Sequence, residues 1–178
     1  MLKTTANKIT VLRVVLIPVF LLLAYGGHRV GALIVYLIAC LSDFADGYIA
    51  RHYNQITNFG KFMDPLADKM LVCSAMCWFV ETGLMPGWAL LVVLLREFAV
   101  SGLRMVSVEK GRVIAAAWSG KIKTFSTMIC ILLMLLPIPL WLDWVCVGVI
   151  VATTLYSGVE YFVKNLDVFR EGAKKEDE

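Results

Sequence analysis

Residues 42–51 read Ser42-Asp43-Phe44-Ala45-Asp46-Gly47-Tyr48-Ile49-Ala50-Arg51, and after eight further residues the chain continues Gly60-Lys61-Phe62-Met63-Asp64-Pro65-Leu66-Ala67-Asp68-Lys69. Four aspartates in two pairs thus occupy the facing ends of two apolar runs. Asp43 and Asp46 are three apart, Asp64 and Asp68 four apart. On helices those spacings put each pair on one face, with about 5–6 Å between Cβ atoms. The link is short, which predicts antiparallel neighbouring helices and four carboxylates meeting at one depth.

The composition around this stretch says what solvent it sits in. The chain has 178 residues, 60% hydrophobic and 17% charged, against about 45–50% apolar and 25% charged in a soluble domain. A disordered chain is excluded, and the apolar excess calls for lipid. Six windows are close to the roughly 20 residues that a spanning helix needs: about 11–27, 30–50, 62–81, 85–107, 122–140 and 143–163. Turn formers separate them, among them Gly26-Gly27, Gly83, Met85-Pro86-Gly87 and Pro137-Ile138-Pro139. Backbone facing lipid must satisfy its own hydrogen bonds, so all six are expected to be helical. The expectation is an all-α integral membrane protein of six transmembrane helices, forming one domain over residues 1–178. The first window lacks a small-residue cleavage pattern and reads as a retained span.

Basic residues set the orientation. Lys3, Lys8 and Arg13 mark the start of the first span, Arg51 and Lys61 the second connection, and Lys110, Arg112, Lys121 and Lys123 the fourth. Lys164, Arg170, Lys174 and Lys175 follow the last span, and only Arg29 breaks the alternation. The positive-inside rule then places both termini in the cytoplasm of a multi-pass protein of the cell membrane, with the aspartates at the cytoplasmic side. Residues 1–13 mix Lys3, Lys8 and Arg13 with Leu2, Ile9 and Leu12, the pattern of a short N-terminal interfacial helix or of a plain basic flank. The tail from Lys164 to Glu178 reads as a solvated end.

A carboxylate at the centre of a span costs about 2.5–3.5 kcal/mol, so four would cost roughly 10 kcal/mol as an upper bound. Asp64 before Pro65 could simply cap a helix, and Arg51, Lys61 and Lys69 could offset part of the charge. Neither explains the whole set. Four clustered oxygen ligands suit Mg²⁺ or Mn²⁺ rather than zinc, and two such ions about 3.5–4 Å apart suit transfer at phosphorus. Gly47, Ala50 and Gly60 would let a nucleotide approach the backbone, although small residues also serve helix packing. Cys40, Cys73, Cys77, Cys130 and Cys146 fit packing roles better than a metal site or disulfide. His28 lies in a turn, and His52 reads as an interfacial polar residue.

The pattern Asp43-x2-Asp46-Gly47-x2-Ala50-Arg51-x8-Gly60-x3-Asp64-x3-Asp68 resembles the signature of the CDP-alcohol phosphotransferase family at all eight defined positions. The resemblance implies that Asp43, Asp46, Asp64 and Asp68 bind two divalent ions and that Asp68 is also the general base. It implies that Gly47, Ala50, Arg51 and Gly60 hold the CDP moiety. Asn7-x-Ile9-Thr10-x2-Arg13 is similar to the family's segment before the first span, without its usual proline, and gives Asn7 and Thr10 weak nucleotide-binding roles.

A second polar set lies downstream: Arg96-Glu97 and Ser101-Gly102-Leu103-Arg104 in the fourth window, then Ser119-Gly120-Lys121-Ile122-Lys123-Thr124. Glu97, Ser101 and Arg104 share a helical stripe, with Arg96 at its edge. Arg96, Arg104 and Lys121 are read as binding an acceptor phosphate, and Lys123 as a lysine snorkelling at the interface. An internal ion pair of Glu97 with Arg96 or Arg104 is the competing reading. These blocks resemble the branch of the family whose acceptor is sn-glycerol 3-phosphate, with Thr127 where that branch often has glutamine. The likeness implies transfer of the phosphatidyl group from CDP-diacylglycerol to sn-glycerol 3-phosphate, giving phosphatidylglycerol phosphate and CMP, by a homodimer in contact with membrane lipids. No nucleic-acid partner is expected. Other acceptors (inositol phosphate, serine, phosphatidylglycerol) are alternatives, and an ion or proton transporter is a more distant one. A transporter site would be expected near the midplane, with repeat symmetry.

Overall fold

A computed structural model describes residues 5–52, 58–109 and 117–165, and within them the side chains of 10–42, 63, 66–108 and 117–165. Six α-helices follow one another: α1 (Thr5–Tyr25), α2 (Arg29–His52), α3 (Asn58–Glu81), α4 (Gly87–Glu109), α5 (Trp118–Leu135) and α6 (Leu140–Lys164). Each predicted window falls on one helix, and no strand occurs among the described residues. Two helices, Trp118–Leu135 and Leu140–Lys164, are long and apolar enough to cross a membrane among the described residues, while Thr10–Tyr25 and Arg29–Ser42 are shorter apolar stretches.

The expected separate N-terminal helix is not found. Residues 5–25 run as one helix, because nothing between Thr5 and Val14 breaks it: the stretch has no proline or glycine.

Tight turns join the helices in pairs. Gly27 has φ 79° and Gly83 φ 76°, the left-handed geometry that ends a helix without a Cβ clash. His28 N–H donates to Leu23 O at 2.9 Å and Gly27 N–H to Ala24 O at 3.3 Å. Leu84 N–H to Phe79 O at 2.9 Å and Gly83 N–H to Val80 O at 3.2 Å repeat the pattern after α3. Both turns therefore satisfy carbonyls that a helix end leaves open. Tyr25 Oη donates to Glu81, tying the two helix ends together. After α5, Leu136 takes ψ 154° before Pro137, as proline demands of the residue it follows.

α2 and α3 touch each other, and among the described residues both pack mainly against α1. The cause is a buried α1 stripe of Thr10, Arg13, Ile17, Phe20 and Ala24, spaced three and four residues apart. Small residues let the helices close on it: Ala32, Ala39 and Ala75 are fully buried, and Phe20 meets Tyr36 with ring centroids 5.9 Å apart. α5 and α6 form a second layer through Ile131, Met134, Val147 and Ile150, and α4 leans chiefly on α6. The five cysteines are free thiols, with Cys130 and Cys146 buried. Many large apolar side chains face outward instead, Leu22, Phe98 and Met105 each more than 70% exposed.

Replacing Gly83 by Ala forces a side chain into left-handed backbone with open space around it, so the penalty of roughly 1–2 kcal/mol is purely conformational. Thermal unfolding in detergent should show that loss, while Gly148→Ala, in helix with equally open surroundings, should show none.

Candidate active site

The α1 stripe carries one charged member. Arg13 has no exposed surface and its Nη1 donates to Asp68 Oδ1 at 2.7 Å. Asp68 is one helical step beyond the buried Ala67 and keeps 44% of its side chain exposed. An α1 guanidinium therefore reaches across to α3 and holds one oxygen of a carboxylate that still faces water.

The residue after Asp68 points to a different helix. Lys69 Nζ donates to Ser101 Oγ on α4 and lies 3.8 Å from Glu97 Oε2. Glu97 is itself the centre of a cluster. Its Oε1 accepts from Lys123 Nζ at 2.7 Å and from Arg96 Nη1 at 3.0 Å. Arg96 then reaches α6, where Nη2 donates to Ser157 Oγ at 2.5 Å. Its path runs between two glycines: a Cβ on Gly158 would lie 3.4 Å from Arg96 Cγ, and one on Gly120 3.5 Å from Nη2. Three cations from α3, α4 and α5 thus meet one carboxylate, leaving two positive charges in excess in a mostly buried cluster. Lys123 and Arg96 side chains are 6% and 11% exposed, and Lys69 at 34% is the open one. Such an excess is costly to hold in low dielectric unless an anion completes it.

The sequence-derived candidates divide as follows. The backbones of Asp43, Asp46, Gly47, Ala50 and Arg51 lie in α2, those of Gly60 and Asp64 in α3, and that of Asn7 in α1. Their side chains lie outside the described residues. Thr10 is buried one turn before Arg13. Arg96 joins the Glu97 cluster. Arg104 does not: it is exposed, its Nε donates to Tyr161 Oη at 2.8 Å, and its guanidinium carbon lies 5.5 Å from that ring's centroid. Lys121 is exposed too, with Nζ 4.9 Å from the Trp118 ring centroid. Among the described residues no shared partner joins Arg96, Arg104 and Lys121. Lys123 corrects the snorkelling reading: it is buried because Glu97 draws it inward.

Sequence reasoning left Ser157 and Tyr161 without a role at the site, weighed Lys69 only as a partner for the aspartates whereas it meets Ser101 and Glu97, and used Arg13 only for topology and likeness. The signal for α5 was present. Ser119, Lys123 and Thr127 are four apart and all buried, one polar stripe on the packed face of the helix. Thr127 Oγ1 and Arg96 Nε are buried with no hydrogen-bond partner in the protein, which marks room for water or a ligand group beside the cluster.

The chain is similar to known proteins over most of its length. The family model described as CDP-alcohol phosphatidyltransferase matches residues 3–156. A Bacillus subtilis (strain 168) protein named CDP-diacylglycerol--glycerol-3-phosphate 3-phosphatidyltransferase is 41% identical, covering 92% of this chain and 96% of its own. A probable phosphatidylglycerophosphate synthase of Mycobacterium tuberculosis (strain H37Rv) is also 41% identical, over 90% of this chain and 81% of its own. A Shigella flexneri protein bearing the same name as the Bacillus one is 34% identical over 86% of this chain and 90% of its own.

Replacing Glu97 by Ala leaves Lys123 and Arg96 buried without a counter-charge, a loss of about 3–5 kcal/mol. Thermal unfolding should show a large drop for Glu97→Ala and partial recovery for Glu97→Ala with Lys123→Met.

Proposed function

Because the chain belongs to the CDP-alcohol phosphatidyltransferase family, we propose that it transfers the phosphatidyl group of CDP-diacylglycerol to sn-glycerol 3-phosphate. The acceptor's 1-hydroxyl gives up its proton and forms a bond to the lipid-bearing phosphorus. The bond from that phosphorus to CMP breaks, leaving phosphatidylglycerol phosphate.

The observation that carries the reading is the adjacency of Asp68 and Lys69. These consecutive residues belong to two polar sets, one reaching Arg13 on α1 and the other the Glu97 cluster on α4 and α5. A carboxylate able to accept a proton therefore stands next to a cation-rich cluster suited to a phosphate. Those two groups are what activation and capture of a phosphorylated alcohol require.

Asp43, Asp46, Asp64 and Asp68 make an all-oxygen donor set that suits two divalent ions, Mg²⁺ or Mn²⁺, and the half-exposed Asp68 is open to ions from water. Such ions, when bound, supply charge that offsets the charge developing on the transferred phosphate. Asp68 takes the hydroxyl proton. Asn7, Thr10, Gly47, Ala50, Arg51 and Gly60 hold the CDP group, and Arg96, Arg104 and Lys121 draw in the acceptor phosphate, with Lys69 meeting Arg96 at Glu97. The six helices span the cell membrane with both termini and the site on the cytoplasmic side, and the protein works as a homodimer. The outward-facing apolar side chains support burial in hydrocarbon, since so many exposed large hydrophobics are unfavourable in water.

Purified protein should release CMP from CDP-diacylglycerol only with Mg²⁺ or Mn²⁺ and glycerol 3-phosphate, and a chelator should stop it. Equal or faster turnover with inositol phosphate, serine or phosphatidylglycerol would overturn the acceptor; no CMP with any alcohol would overturn the reaction. Asp68→Asn should lower kcat by about 100- to 10,000-fold with the fold intact, and near-normal turnover would remove it as the base. Arg104→Ala should chiefly raise the acceptor KM; an unchanged KM would leave Arg104 only its contact with Tyr161.

A further inference from the structure

Arg13 is the one charged residue in the buried stripe of α1. Its companions Ile17, Phe20 and Ala24 are apolar, and Thr10 is the other polar member among the described residues. A fully buried guanidinium costs several kcal/mol to desolvate, so its place in the stripe needs a reason beyond packing. Orientation in the membrane does not supply one, since a basic residue that marks the cytoplasmic side can do so from water. Arg13 instead points inward, and its Nη1 meets Asp68 Oδ1 at 2.7 Å.

We propose that Arg13 is a positioning residue for the transfer reaction: from its buried seat on α1 it fixes the Asp68 carboxylate in the orientation that receives the acceptor's proton.

Three observations support this. First, the partners differ sharply in exposure, 1% for the Arg13 side chain and 44% for Asp68. A half-exposed carboxylate on a helix surface samples several rotamers, whereas one bonded to an immobile guanidinium is restricted. Second, the held residue is followed by Lys69, which α4 grips through Ser101 and Glu97. The turn of α3 that carries both is gripped from α1 on one side and from α4 on the other. Third, among the described residues α3 packs more extensively on α1 than on α2, so the helix that supplies Arg13 is also a main support of α3. The proton still goes from the acceptor hydroxyl to Asp68; Arg13 takes no part in the transfer itself.

This inference rests on the reading of Asp68 as the base, so the test separates the two. Arg13→Met keeps an unbranched apolar stem in the buried seat and removes the charge; the partner left behind, Asp68, is 44% exposed, so no buried charge is stranded and the large penalty of breaking a fully buried pair does not apply. Arg13→Lys keeps the charge with a single-point donor. Turnover is measured in detergent with CDP-diacylglycerol and glycerol 3-phosphate, alongside thermal unfolding. Misplacing a reacting group by about 1 Å can reduce rate 100-fold, so Arg13→Met should lose roughly 10- to 100-fold in kcat, with little change in acceptor KM or unfolding temperature. Arg13→Lys should recover part of the loss. Carbodiimide labelling of Asp68, read by mass spectrometry without substrates, should increase in Arg13→Met and stay near the unsubstituted level in Arg13→Lys.

Unchanged kcat and unchanged labelling in Arg13→Met, with Asp68→Asn inactive, would overturn the inference alone. A kcat loss matched by a fall in unfolding temperature and not relieved by Lys would also overturn it, as a structural role. A fully active Asp68→Asn enzyme would overturn the assignment of the base and this inference with it.

Discussion

One carboxylate, Glu97, must answer for three cations in a place that water scarcely reaches. Lys123, Arg96 and Lys69 come to it from α5, α4 and α3, and in low dielectric their mutual repulsion is severe if they are not held at fixed spacing. The constraint therefore fixes the register of three helices at once. It extends to α6 through the bond from Arg96 to Ser157. The arginine crosses close to the glycines at 120 and 158, where a Cβ would lie in van der Waals contact with it.

The apolar part of the fold works by other means. α1, α2 and α3 close on alanines and on the Phe20–Tyr36 contact, where dispersion rather than charge decides the fit. The glycine turns after α1 and α3 lie side by side, linked by Tyr25 and Glu81. Polar organisation and apolar packing thus occupy different parts of the same helices. An apolar half built from short turns and small residues gives the polar half a stiff frame.

What the sequence made legible was whatever repeats along one helix. The six apolar windows emerged as six helices, with Gly27 and Gly83 in the turns that their glycines announced. The common face of Glu97 and Ser101, both of which meet Lys69, was readable from spacing alone, whereas Arg104 on the same stripe turns to Tyr161. Contacts between distant segments were not. Arg13 and Asp68 are 55 positions apart, and Arg96 and Ser157 are 61 apart, so no periodicity connects them. Lys123 was misread for the same reason: beside an interface a lysine is ordinarily solvated, and only the approach of Glu97 from α4 turns it inward. The short link between α2 and α3 announced their contact but said nothing of α1, against which both pack more extensively among the described residues.

The bond between Arg13 and Asp68 has a consequence for how the chain is made. The ribosome delivers Arg13 55 residues before its partner, an interval of roughly 3–11 s at 5–20 residues per second. During that time the α3 carboxylate does not yet exist, so the Arg13 guanidinium lacks the partner it has in the folded chain. α1 therefore reaches its final packing only after α3 has been made, and a nascent chain halted before residue 68 would carry α1 without the contact that joins it to Asp68.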